Sequence, residues 1–340
     1  MNFITKKEIN KIQSIFLNKN IFFGKKIYIY GSGEASKNLK KILISYKIKF
    51  QKYLNEEDFV NIKNLSNIII INNSYKVRNN KNNFYTKNKK KIIDMDVHFL
   101  NNFKNYKNYI TRNYVKFIKL FNNLQDNQSK KLLISFIKVK LSNDYANIKN
   151  YNFKDQYYLK KNGKKFNNII DVGGYDGDTL KFFLKKKMKF KKYFIFEPDF
   201  KNYLKLKKNV KNINNSNIFI YNYAAGNQNG EIFFQSLGNS KSMIKLNRNL
   251  KTKKIKIVKL DKIIKEINFL KIDVENHEKQ VILGAKKLIS NFKPVVACAV
   301  YHDKNQLIDI FYTLKSLNKN YKFDLRLYSK SSNELILYAK

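Results

Sequence analysis

The stretch NIIDVGGYDGDT, Asn168 to Thr179, decides the fold. Ile169, Ile170 and Val172 make an apolar run that Gly173 and Gly174 break, so it reads as a buried parallel strand entering a glycine turn. A helix should follow, with Asp176 or Asp178 as its cap and Leu180, Phe182, Phe183 and Leu184 on its apolar side. Charge separates this turn from a phosphate cradle. Asp171, Asp176 and Asp178 surround the glycines, and three carboxylates repel a pyrophosphate at a helix N-terminus but favour a cation. A second stretch, YFIFEPD, Tyr193 to Asp199, ends another strand with Glu197, 26 residues beyond Asp171. That is about the separation at which an acid on the next strand reaches ribose hydroxyls. Together the two stretches predict an adenosine ligand carrying positive charge, and S-adenosylmethionine, with its sulfonium and ammonium, fits.

The 340 residues suffice for two domains, and a 43% hydrophobic content can build real cores. The single cysteine, Cys298, lies in the apolar run VVACAV, which excludes a disulfide framework and suits a reducing compartment. No apolar run reaches the roughly 18 to 20 residues that span a bilayer, and the start MNFITKKEINKIQSIFL is too polar for a signal peptide, so a cytoplasmic protein is expected. The formal charge of +44 would ordinarily point to nucleic acid or an anionic membrane. Lysine is instead dispersed along the chain with asparagine and isoleucine, and arginine is scarce, so no specific nucleic-acid partner is expected.

Outward from the decisive stretch, four segments are expected: an N-terminal helix over 1–23, a small Rossmann-like α/β domain over 24–103, a helical connector over 104–165 and a doubly wound α/β domain over 166–340. In the small domain KIYIYGSGEASKNLKKIL repeats the strand, turn and helix theme. Gly31 and Gly33 open a G-x-G-x-x-G pattern, but Ser36 stands at the third glycine and no acid closes the next strand, so nucleotide binding there has weak support. The connector carries Tyr114, Phe117, Ile118, Phe121 and Leu124 at helical spacing, then restarts with Asp126 as N-cap. The segment 151–165 reads as a polar approach loop.

In the last domain SNIFIYNYAAG reads as one strand, Asn229-Gly230 as a hairpin turn, and INFLKIDVENHEKQVILGAKKLI as a strand ending at Asp273, an acidic turn and one helix. VVACAVYH places Tyr301 and His302 at a strand's carboxyl end, where doubly wound sheets bind ligands. Alternate side chains of an extended segment point the same way, so Asp273 and Glu275 can both face the cleft. They can orient the methyl donor, accept a hydroxyl proton, hold a divalent cation with one more oxygen ligand, or merely cap the helix that follows. His302 is a general base or a structural histidine at a strand terminus. His98 reads as structural. With no paired cysteines and no His-x-x-His spacing, zinc is not expected and no metal site is assigned.

These residues resemble an FkbM-family methyltransferase. The likeness rests on DVGGYDGDT, FEPD, the AAG after the third strand, VKLD, LKIDVE with VILGA, and the YH strand end with YKFDLRLYS, and LQDNQSKKLL resembles the lead-in of members with an N-terminal extension. It implies a class I methyltransferase fold, S-adenosylmethionine as donor, and O-methylation of a hydroxyl on a sugar, glycan or secondary metabolite. It places Asp171, Gly173 and Gly177 in the donor-binding turn, Glu197 on the ribose hydroxyls, and Asp199, Asn222 and Ala224 near the adenine edge; Gly174, Asp178 and Thr179 of the same turn are expected to bind the cofactor with them. Asp273, Glu275 and His302 are then the expected catalytic residues. The sequence departs from the family at Asn276 and His277, where a glycine and a small residue are usual, and at Leu327, where histidine is common. A nucleic-acid methyltransferase, a non-catalytic scaffold and a dehydrogenase using the first domain are the rival classes. The stacking tetrapeptide, the loss of donor-site acids and the strand-end acid that these would respectively show are not seen.

Overall fold

The computed structural model describes residues 1–13, 22, 24–55, 57–58, 68–72, 92–94, 103–142, 155–157, 166–211, 213, 217–238, 243–245, 252–329 and 334–340. The chain forms two compact units, one of Met1–Asn122, Asp126–Asn152 and Leu327–Glu334, the other of Asn123–Gln125, Phe153–Arg326 and Leu335–Lys340.

The first unit opens with α1 (Lys6–Lys11), shorter than the helix expected over 1–23. Thr5 and Glu8 form a capping box that satisfies two N-terminal donors, the Thr5 hydroxyl accepting from the Glu8 amide and the Glu8 carboxylate accepting from the Thr5 amide. Strand β1 (Lys26–Tyr30) buries Ile27 and Ile29, and α2 (Glu34–Ser45) lays Leu39, Ile42 and Leu43 against them. With β2 (Tyr53–Leu54), β3 (Ile68–Asn72) and β4 (Ile92–Asp94) this makes a parallel sheet in the order β2-β1-β3-β4, the expected Rossmann-like arrangement. Helices α3 (Phe103–Arg112), α4 (Tyr114–Asn123) and α5 (Asn127–Ser142) follow. Asp126 caps α5 as read from the sequence, its carboxylate accepting from the Ser129 amide at 2.7 Å, and Leu132, Leu133, Phe136 and Ile137 are buried along one stripe. His98 and most of the 151–165 loop lie outside the described residues.

The second unit is built on a seven-stranded sheet. It holds β5 (Phe166–Val172), α6 (Asp178–Lys185), β6 (Phe190–Phe196), α7 (Phe200–Lys211) and β7 (Ile218–Tyr221). A small second sheet is interposed: β8 (Ala224–Ala225), β9 (Gly230–Gln235), β10 (Met243–Lys245) and β11 (Lys253–Val258). The chain returns through α8 (Leu260–Ile263), β12 (Phe269–Ile272), α9 (Glu278–Gly284), α10 (Lys286–Phe292), β13 (Val295–Ala299), α11 (Gln306–Leu317), β14 (Phe323–Leu327) and β15 (Leu335–Ala339). The large sheet runs β7-β6-β5-β12-β13-β15-β14, parallel from β7 to β13, with β15 antiparallel to β13. Phe183 of α6 packs edge-on against Tyr193 and Phe269, all three fully buried, each ring contributing about 1.5 to 3 kcal/mol by its removal from water.

Three local expectations are corrected. SNIFIYNYAAG is two strands in two sheets, because β8 turns away to pair with β11. Asn229-Gly230 does not close a hairpin between β8 and β9, whose partners are β10 and β11. The helix after Asp273 is broken into α9 and α10 at Ala285, whose ψ of 17° leaves the helical range. Among the described residues no helix is long and apolar enough to cross a membrane.

Candidate active site

The chain leaves β5 for β6 on one side, while β12 lies on the other, so the carboxyl ends of β5 and β12 flank the point where strand order reverses. Ligands of doubly wound sheets bind there. The two strand ends come so close that a Cβ on Gly173 would lie 1.9 Å from the Asp273 carbonyl oxygen, and Gly173 also has φ +85°. A Cβ on Gly174 would lie 2.1 Å from Ile195 Cγ2, so packing alone already demands both glycines.

Asp171 and Lys271 are register partners on these strands. The Lys271 ammonium pairs with Asp171 Oδ1 at 2.9 Å and donates to the Gly173 carbonyl at 2.5 Å, while Tyr193 Oη donates to Asp171 Oδ2 at 3.1 Å. Burial works against the Lys271 charge, but Asp171, Asp273 and Asp178 outweigh it and hold the pKa above the usual lysine value. Asp171 therefore does not offer an uncompensated charge to a ligand, as the reading of three clustered carboxylates supposed. It anchors the strand ends from below the turn. Asp178 is exposed and accepts from the Thr179 amide at 2.7 Å. The helix N-cap is Gly177, in the left-handed region at φ +87° with no side-chain cap, rather than Asp176 or Asp178.

Glu197, at the end of β6, accepts from the Tyr175 amide on Oε2 (2.8 Å) and from the Asp199 amide on Oε1 (2.9 Å), clamping the glycine turn to the FEPD turn. Burial pushes its pKa up to about 7 against those two amides. Each oxygen retains a second acceptor direction. Asp199 is fully buried and spends Oδ1 on the amides of Lys201 and Asn202 at the start of α7, and Oδ2 on Ser236 and the Gly238 amide. Expected near the adenine edge, it is by these contacts a helix cap that ties β9 to the FEPD turn. Asn222 donates to the carbonyls of Glu197 and Pro198, bracing the same turn. Ala224 is buried in β8 beside Ile257.

Asp273, Glu275 and His302 come together. His302 Nε2 lies 3.6 Å from Asp273 Oδ1 and 3.8 Å from Glu275 Oε1, while Nδ1 lies 2.8 Å from Glu278 Oε1. Glu278 is itself buried, and Gln306 Nε2 and the Val274 amide donate to it. Tyr157 Oη donates to Asp273 Oδ2 at 2.7 Å, and the Lys271 ammonium sits 5.5 Å from the Tyr157 ring centre. Burial works against a charged His302 ring, but the Glu278 hydrogen bond and charge, then Asp273 and Glu275, outweigh it and hold the pKa up at about 9. His302, the expected general base, is thus an imidazolium at neutral pH, and an imidazolium has no lone pair to take a proton. Glu275 and Asn276 adopt φ of +51° and +77°. The turn is left-handed at Asn276, a conformation that suits glycine and that asparagine adopts more readily than most other residues. His277 is half-buried, its pKa lowered by that burial, and its Nε2 has no hydrogen-bond partner.

Lys271, Tyr157, Glu278 and Gln306 were not anticipated. Lys271 had a signal: a lysine inside the apolar run FLKI of a buried strand must find a counter-charge. Tyr157 had none, lying in a polar loop. By its sequence Lys241 to Asn249 reads as a loop that helps shape the acceptor pocket, and of it only 243–245 are described.

The seven-stranded sheet order with one antiparallel strand, and the acids at its carboxyl edge, define a class I methyltransferase-like Rossmann fold. Residues 171–323 match the family described as the methyltransferase FkbM domain. The crystal structure of methyltransferase FkbM from Methylobacillus flagellatus KT is similar in fold, with 16% identity over 96% of this chain and 94% of that chain and a TM-score of 0.70. The likeness includes the first unit. Looser similarities link about half of the chain to an rRNA methylase from Streptococcus thermophilus (10% identity, 52% of this chain and 87% of that chain, TM-score 0.35) and to Aeropyrum pernix fibrillarin in complex with S-adenosyl-L-methionine (14%, 52% and 67%, TM-score 0.33). Neither bears on function at such scores. No curated protein gives a significant match.

Proposed function

We propose that the second unit binds S-adenosylmethionine at the carboxyl edge of its sheet and transfers the methyl group to a hydroxyl of a sugar, glycan or secondary metabolite. The observation that carries this reading is the pairing of two acidic positions on one sheet edge: Glu197 beside the glycine turn, and Asp273 with Glu275 beyond β12. Glu197 accepts from the ribose hydroxyls through its remaining acceptor directions, and the Gly173–Gly174 turn lets the donor approach backbone. Asp273 and Glu275, 22% and 27% exposed, are the partly open carboxylates that face the sulfonium and the incoming hydroxyl.

Transfer is in line. The acceptor oxygen forms a bond to the methyl carbon as the carbon–sulfur bond breaks, its electron pair stays on sulfur as a neutral thioether, and the hydroxyl proton passes to a carboxylate. The sulfonium is already activated, so alignment supplies the larger share of the rate. Glu275, with Asp273 held by Tyr157, replaces His302 as the proton acceptor, because the charged imidazole serves to keep both carboxylates in place. Transfer of label from methyl-labelled S-adenosylmethionine to a panel of hydroxylated glycans tests this. Wild type should label an acceptor and Glu275→Gln should lose at least tenfold in rate with donor affinity kept. Equal rates for the two would remove Glu275 from the chemistry.

A further inference from the structure

The Asp273–Glu275–His302 cluster contains a polar atom that the protein leaves without a hydrogen bond. His302 is 6% exposed, and its Nε2 is buried with no hydrogen-bond partner. The atoms it faces, Asp273 Oδ1 at 3.6 Å and Glu275 Oε1 at 3.8 Å, are both beyond hydrogen-bond distance. On the other side of the ring Nδ1 is fixed by Glu278, which is anchored in turn by Gln306 and the Val274 amide. An imidazole whose one nitrogen is tied to a buried carboxylate, while the other points between two further carboxylate oxygens, has the arrangement of a histidine that ligates a metal.

We infer that His302 Nε2, its proton released to solvent as the ion binds, forms with Asp273 Oδ1 and Glu275 Oε1 a binding site for a divalent first-row cation such as Mn²⁺, with Glu278 as the carboxylate that orients the ring. Ligand atoms about 2.1 Å from such a cation lie roughly 3.0 to 3.6 Å from one another at angles from 90° to 120°, so the distances from His302 Nε2 to Asp273 and to Glu275 each need to contract by only a few tenths of an ångström. Charge agrees with geometry. Asp273, Glu275 and Glu278 bring three carboxylates to one ring, more than a single imidazolium neutralises. Tyr157 holds Asp273 Oδ2, which leaves Oδ1 to the cluster. One nitrogen with two carboxylate oxygens suits Mn²⁺ or a similar ion better than the soft-ligand metals. The partial exposure of Asp273 and Glu275 leaves coordination positions on the open side for oxygens of an acceptor. A cation there lowers the pKa of a hydroxyl it contacts, and an acceptor with two neighbouring oxygens, such as a vicinal diol, matches it best. That use of the ion rests on the methyl-transfer reading above; the site itself does not.

The test is an electron paramagnetic resonance titration of the full chain with Mn²⁺, followed by pulsed measurement of nitrogen coupling, alongside calorimetry with S-adenosylmethionine after chelation. Wild type should bind one Mn²⁺ with an imidazole nitrogen coupling. His302→Gln should abolish the coupling, and Glu275→Gln, at a partly exposed position that folding tolerates, should weaken binding at least tenfold. No Mn²⁺ binding by folded wild type, or binding without nitrogen coupling, overturns the metal site. Donor binding by the chelated protein in that case leaves the donor reading standing. Nitrogen-coupled Mn²⁺ with no donor binding supports the metal site and removes the methyl-transfer reading.

Discussion

Lys271 and Asp171 are 4% and 0% exposed and meet at 2.9 Å, so each is tolerable only because of the other. Removing one partner strands a buried charge. Lys271→Ala should cost about 3 to 5 kcal/mol in urea unfolding, and a cost below 1 kcal/mol would show that the pair is not buried as described. Asp171→Ala should lose donor binding through collapse of the strand ends, with a matching loss of stability. Glu197 gives a pH signature. Its folded pKa of about 7 lies above the ordinary glutamate range, so folding takes up a proton between roughly pH 4.5 and 7, and ionising the group costs stability as pH rises through that window. In the proposed donor site ribose hydroxyls donate to the ionised form, so S-adenosylmethionine should bind about tenfold more weakly at pH 6 than at pH 8, and Glu197→Gln should flatten that dependence. A wild-type affinity constant over this range would separate Glu197 from the ribose. The acids themselves were legible, because strand ends followed by glycine or proline advertise them. Their partners were not: Lys271 signals only that it needs some counter-charge, 100 residues from Asp171, and Tyr157 lies 116 residues from the Asp273 it holds, so only folding brings them near.

At the scale of elements, the acidic turn after β12 and the glycine contact behind it shape the edge. Asn276 sits at φ +77°, and Asn276→Gly should raise stability by up to about 1 kcal/mol in thermal unfolding; a loss instead would assign the asparagine side chain a holding role. Behind the turn a Cβ on Gly284 would lie 1.8 Å from the Gly226 carbonyl oxygen, and one on Gly226 would meet His277 Nε2 at 3.0 Å. The AAG and VILGA motifs are thus two faces of one close contact between α9 and the turn after β8. Gly284→Ala should cost about 1 to 3 kcal/mol by overpacking, and wild-type stability in that variant would contradict the contact. Periodicity located nearly every strand and helix of the second unit. It could not see that one apolar run splits between two sheets, or that a continuous helical pattern breaks at Ala285, because both depend on what packs alongside.

At the scale of the molecule, the order β7-β6-β5-β12-β13-β15-β14 places every implicated acid of the second unit on one sheet edge. The repeated strand, glycine turn and helix pattern made the α/β class readable, whereas the antiparallel insertion of β15 carries no local signal. The most direct test of the account is calorimetry of the folded full chain with S-adenosylmethionine in moderate salt, paired with Glu197→Ala checked for wild-type circular dichroism. The account predicts one bound donor per chain, lost or at least tenfold weakened in the variant. Absence of binding to folded wild type would contradict it.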